Sequence, residues 1–156
     1  MTLHSILAID PGVTTGYCQA KLDNGILLMA PRETKLTLLK METMLLDAIN
    51  RYPQSLHIIY EDFQYRNVAR TGLNLYPVKL IGVIELVQEK YPSVGFYKQS
   101  ASTGKGYWSD EALREIGVYQ RGTPHGRDAQ RHLLHWLAFK EGSQYVDIEQ
   151  LTMKLA

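Results

Sequence analysis

LAIDPGVTTGY, residues 7–17, carries an apolar run into an aspartate and then turns the chain at Pro11-Gly12. The stretch from His4 to Asp10 reads as a buried strand, because a short continuous apolar run closed by turn residues suits a strand covered on both faces. Asp10 is the anomaly. A core strand gains nothing by ending in a carboxylate unless the acid starts the turn or holds something at the strand's open end. Taken alone, Asp-Pro-Gly is an ordinary turn.

Outward from this stretch, Thr14–Leu22 and Ile26–Ala30 read as two further strands. The Asp23-Asn24-Gly25 between them signals a hairpin, whose turn needs residues that tolerate positive φ. An amphipathic helix is expected over Glu33–Tyr52, with Leu36, Leu39, Thr43, Leu46 and Ile49 at helical spacing. Leu56–Tyr60 is a fourth strand that runs into Glu61-Asp62. A polar, basic connector, Gln64–Asn74, leads to a helix from about Tyr76 with Pro77 in its first turn, where a missing N–H costs little. Val94–Lys98 is a fifth strand. Ser109 suits the cap of a short helix opened by Asp110 and Glu111, and Thr123 the cap of a last helix with Pro124 at its first position. The order predicts an α/β sandwich on a mixed five-stranded sheet, three antiparallel strands followed by parallel ones, flanked by helices.

The chain of 156 residues suggests one domain spanning 1–156, long enough to bury a real core. One cysteine, Cys18, excludes an internal disulfide and points to a reducing, cytoplasmic setting. No basic segment precedes the first apolar run, so no signal peptide is expected. No run reaches the roughly 18 apolar residues of a membrane helix. The net charge of +1 does not announce a nucleic-acid binder, but its distribution is uneven. No acid lies between Asp62 and Glu85, where Arg66, Arg70 and Lys79 occur, nor between Glu89 and Asp110, where Lys90, Lys98 and Lys105 occur. Such a surface suits a phosphate backbone, although ordinary solvated charge explains it equally.

Two buried strands thus end in acids, Asp10 after ILAI and Glu61 after HIIY. In sheets of this kind functional groups lie just past strand C-termini. If strands one and four are parallel neighbours, the two carboxylates meet and repel, and a divalent cation removes that penalty. In the last helix His125 and Asp128, at i and i+3, share a face, and His132 and His135 continue the stripe as surface or core-edge residues. Three carboxylates and an imidazole suit a two-metal phosphodiester hydrolase, with Mn²⁺ at least as apt as Mg²⁺.

These motifs resemble the RuvC-type Holliday junction resolvases of the RNase H-like (retroviral integrase) superfamily, particularly their short phage-borne versions, over nearly the whole chain. LAIDPGVTTGY resembles the family's opening strand and IIYEDF its fourth. LNLYPVKLIGVIELV resembles the following long helix, FYKQSASTGKGYWSDEAL the strand-loop-helix, and HGRDAQRHLLHWLAF the terminal helix. The resemblance implies an RNase H-like fold, Asp10, Glu61, His125 and Asp128 as metal ligands for two Mg²⁺ or Mn²⁺ ions, and a homodimer joined through the helix from Tyr76 to Tyr91. It implies branched DNA, a four-way junction, as substrate, cut by paired nicks. His125 would be a ligand or a proton-transfer group. Lys98, Lys105, Arg66 and Arg70 would contact the DNA backbone, and Phe63 or Tyr65 would stack on an unpaired base. The sequence departs from the family in carrying Arg127 and Gln130 where small residues are usual. An actin-like ATPase also opens on a strand and an Asp-x-Gly turn, but needs a second lobe for which the chain is too short. Nucleases for flaps or forks and a non-catalytic junction-binding module keep the fold and change the task.

Overall fold

The computed structural model describes residues 3–64 and 74–156. Its centre is a mixed sheet built from β1 (His4–Asp10), β2 (Thr15–Asp23), β3 (Ile26–Thr34), β4 (Leu56–Glu61), β5 (Gly95–Gln99) and β6 (Thr152–Leu155), in the order β5-β4-β1-β2-β3-β6. β1, β2 and β3 form an antiparallel meander, and β4 and β5 add in parallel on the β1 side. Asn24 (φ 49°) and Gly25 (φ 74°) both take the left-handed conformation that a two-residue hairpin turn requires.

The sheet has six strands where five were expected. β6 runs parallel to β3 from Ile26↔Thr152 to Met29↔Leu155 and is only four residues long, too short for its alternation to stand out in sequence. β3 also runs on to Thr34, because its ladder with β2 continues to Thr15↔Thr34. Pro31 is tolerated there. β6 pairs only as far as Met29, so the absent N–H breaks no outer ladder. Helix α1 accordingly starts at Leu38 and ends at Arg51, with Thr37 Oγ1 accepting from the Lys40 amide at 3.1 Å. Its buried stripe is Met41, Leu45, Ala48 and Ile49, while Leu39, expected inside, is 70% exposed.

The sheet is covered on both faces, which is why Ile6 to Ile9 of β1 are all apolar. Ile6 and Ala8 face α4 (Pro124–Phe139) and pack with Cys18, Leu133, Leu134 and Trp136. Leu7 and Ile9 face α1 and α2 (Tyr76–Lys90), packing with Met41, Leu45, Leu80 and Ile84. The short α3 (Asp110–Glu115) is capped by Ser109, whose Oγ accepts from the Ala112 amide at 3.2 Å. Two 3-10 turns, Glu141–Gln144 and Ile148–Gln150, lead into β6. Among the described residues, no helix is long and apolar enough to cross a membrane.

Candidate metal centre

The parallel register Ile9↔Tyr60 sets the ends of β1 and β4 side by side. Side chains alternate along a strand, so Asp10 follows Ile6 and Ala8 onto the α4 face, and Glu61 follows Ile59. The two carboxylates are therefore brought together by strand geometry, and they touch. Burial, the charge of Glu61 and a hydrogen bond to it, and the charge of Asp128 push Asp10 up to about 8, with Lys105 acting in the opposite sense. Glu61 is half-buried as well. There the hydrogen bond and charge of His132, the hydrogen bond from Asp10 and the charge of Lys105 outweigh burial and hold it below the usual carboxylate range. Free of metal, Asp10 therefore carries the proton of the pair.

The start of α4 completes the group, with His125 in its first turn and Asp128 just beyond it. It lies against β2 and β3 because two glycines permit the approach. A Cβ on Gly16 would stand 1.9 Å from the His125 carbonyl oxygen, and one on Gly126 would stand 2.7 Å from the Arg32 backbone. Thr123 occupies the cap position but its side chain makes no capping bond. Glu33 of β3 serves instead, its Oε2 accepting from the His125 amide at 3.0 Å. His125 Nδ1 stands 3.7 Å from Asp10 Oδ2, and Asp10, His125 and Asp128 each offer a ligand atom within 4.8 Å of the others. An octahedral ion with bonds near 2.1 Å spaces its ligands by about 3 to 4 Å, so small side-chain rotations close this group on an ion. Hard carboxylates with one imidazole, and a proton held where like charges crowd, form a donor set suited to a divalent cation.

Four contributors fall outside the sequence-predicted site: Glu33, Gln99, Arg131 and His132. His132, read from sequence as surface or core edge, is buried, and its Nε2 meets Glu61 Oε2 at 2.9 Å. Its Nδ1 meets Gln99 Oε1 at 2.7 Å. Its spacing of i+7 from His125 places it on the same stripe, and this was the signal available. Arg131 Nη1 donates to Asp128 Oδ1 at 2.8 Å, and Arg131 also binds Asp110 and the Trp108 carbonyl. Arg127 joins Asp110 at 3.3 Å and the Gln120 carbonyl at 2.8 Å. The two arginines thus tie α3 to α4. Gln130 is buried, with Nε2 donating to the Val118 carbonyl at 3.1 Å. Residues that depart from the resembled pattern are therefore accommodated by polar contacts of their own.

Of the residues expected to touch DNA, Lys105 lies in the loop before α3, close enough to bias the charge of both Asp10 and Glu61. With Phe63, Pro11, Glu61, Pro77 and Ala101 it lines a cleft of about 290 Å³. Lys98 points to the opposite face of the sheet, 3.6 Å from Glu85 of α2. Tyr65, Arg66 and Arg70 lie outside the described residues.

No family model and no curated protein matches the sequence. Solved structures do resemble the fold. Thermus thermophilus RuvC in complex with a Holliday junction substrate aligns with a TM-score of 0.61 at 13% identity, covering 86% of this chain and 92% of that one. A second Thermus thermophilus RuvC structure aligns at 0.57 with 16% identity, covering 86% and 92%. The Fowlpox virus resolvase in complex with Holliday junction DNA aligns at 0.51 with 12% identity, covering 84% and 95%. The chain has the RuvC-like, RNase H-like fold that these resolvases share.

Proposed function

We propose that the protein is a metal-dependent endodeoxyribonuclease that resolves four-way DNA junctions by paired nicks. The observation that carries this reading is the meeting of Asp10 with Glu61, from neighbouring parallel strands, and of Asp10 with His125 and Asp128 at the start of α4. Two structural neighbours, solved with junction DNA bound, support the choice of substrate.

Asp10, Glu61, Asp128 and His125 would hold two Mg²⁺ or Mn²⁺ ions. When bound, such ions activate water for in-line attack and stabilise the departing 3′ oxygen. The rest falls to the chain itself. Asp10 gives up its shared proton as the site loads. Arg131 keeps one oxygen of Asp128 occupied, leaving the other toward the site. Lys105, beside the carboxylates, attracts the phosphate backbone without reading sequence. The cleft beside Phe63 receives a base unpaired at the branch point, which any base tolerates because each offers a π face.

Paired nicks need two sites related by a two-fold axis. Helix α2 offers the surface: Leu75, Val78 and Leu86 are exposed along it, and Gly82 between them has open space before it. The test is cleavage of synthetic four-way junctions, forks, flaps and linear duplex in Mg²⁺ and in Mn²⁺. Symmetric nicks restricted to the junction support a resolvase. Cutting confined to forks or flaps supports a different branched substrate, and binding without cutting in either metal supports a junction-binding module.

A further inference from the structure

His132 keeps only 1% of its surface exposed and lies beneath the carboxylates of the site. Its Nε2 meets Glu61 Oε2 at 2.9 Å and its Nδ1 meets Gln99 Oε1 at 2.7 Å. The Gln99 amide is itself fixed, because its Nε2 donates to the His132 carbonyl oxygen at 3.3 Å and so directs Oε1 at the ring. Gln99 stands directly across from Glu61 in the β4–β5 ladder. The imidazole is thus clamped between an amide anchored to the α4 backbone and the carboxylate. Its neighbours along α4, Leu133 and Leu134, are buried and apolar. A leucine at 132 would leave Gln99 Oε1 and Glu61 Oε2 without this partner, so the ring serves through its two nitrogens rather than through packing alone.

Glutamate has three rotatable side-chain bonds, and an unheld Glu61 would sample many rotamers at the mouth of the sheet. The His132 bond occupies one carboxylate oxygen from the core side and leaves the other for the site. We propose that His132, oriented by Gln99, is a positioning residue that holds Glu61 in the rotamer able to share an ion with Asp10. This rests on the metal-dependent reading above and deepens it. Partners that orient metal ligands in this way are worth about 10- to 100-fold in metal affinity.

The test is Mn²⁺ binding to the whole chain without DNA, followed by the electron paramagnetic resonance of free Mn²⁺. His132→Leu is expected to weaken binding by about tenfold or more. His132→Gln, which keeps a donor toward Glu61, recovers part of the loss. Gln99→Leu weakens binding although it touches no carboxylate. In a Glu61→Gln background, His132→Leu causes no further change, because no carboxylate remains to be held. Wild-type affinity in folded His132→Leu and Gln99→Leu overturns the proposal, as does an equal loss in the Glu61→Gln background. If His132→Leu does not fold, Gln99→Leu decides by the same criterion. Wild-type protein that neither binds Mn²⁺ nor cuts DNA overturns the metal-centre reading itself, a result distinct from equality between variant and wild type.

Discussion

Asp10 holds a proton at neutral pH because it is buried beside Glu61 and Asp128, which raises it to about 8. Between the ordinary aspartate value of 3.8 and about 8, the native state binds one more proton than the unfolded chain. Stability of the metal-free protein therefore falls as pH rises through that window. Asp10→Asn removes the charge conflict and supplies an amide donor to Glu61. It is expected to stabilise the metal-free protein at pH 7.5 by about 1–3 kcal/mol, a rise of a few degrees in melting temperature, while abolishing cleavage. A melting curve of the variant that is unchanged or lowered counts against the carboxylate conflict. The same proton must leave when an ion binds, so Mn²⁺ affinity should rise about tenfold per pH unit from pH 6 and level off near 8. Calorimetry in buffers of different ionisation heat would show the released proton; a pH-independent affinity contradicts the assignment. At this scale the sequence was informative where an acid ended an apolar run, as at Asp10 and Glu61. For His132 it offered only the i+7 spacing from His125, and for Gln99 nothing, because their value lies in which strand end α4 covers, and that is a property of the assembled sheet.

Among the elements, the position of α4 decides whether the site exists. Its first turn rests on β2 and β3 through Gly16 and Gly126, and Glu33 caps it from β3. Gly16→Ala would drive a methyl group into the His125 carbonyl, and backbone there has little room to move. A loss of about 2–4 kcal/mol or a displaced helix is expected, with weaker Mn²⁺ binding in either case. Wild-type stability and wild-type affinity together would show that α4 tolerates a shift. Glycine at 16 had no motif to announce it, since close approach of a helix 109 residues later is not a local property. The same limit explains α1. The local pattern of leucines favoured a helix from Glu33, but pairing with β2 kept residues 31–34 extended and moved the buried stripe to Met41, Leu45, Ala48 and Ile49. The strands next to turn residues were readable because hairpin chemistry is local, whereas β6 depends on the edge that β3 offers it.

For the whole molecule, paired nicks on a four-way junction would take two copies related by a two-fold axis. Two copies would meet on α2, where Val78 and Leu86 are exposed and Leu75 is exposed at its cap. Val78→Glu is expected to convert a dimer to a monomer in sedimentation, with the core of each copy intact, and to replace paired nicks with single ones. A variant that stays dimeric places the interface elsewhere. The carboxylate–imidazole group is expected to hydrolyse DNA at a junction. The most direct measurement incubates a synthetic four-way junction and the matching linear duplex with wild type and Asp10→Asn in Mn²⁺ and in Mg²⁺, and maps the nicks on a denaturing gel. Symmetric nicks in opposing junction strands, absent from the duplex and absent with Asp10→Asn although the variant still shifts the junction in a native gel, are the predicted result. Equal cutting of duplex and junction, or nicks that persist in Asp10→Asn, would contradict it.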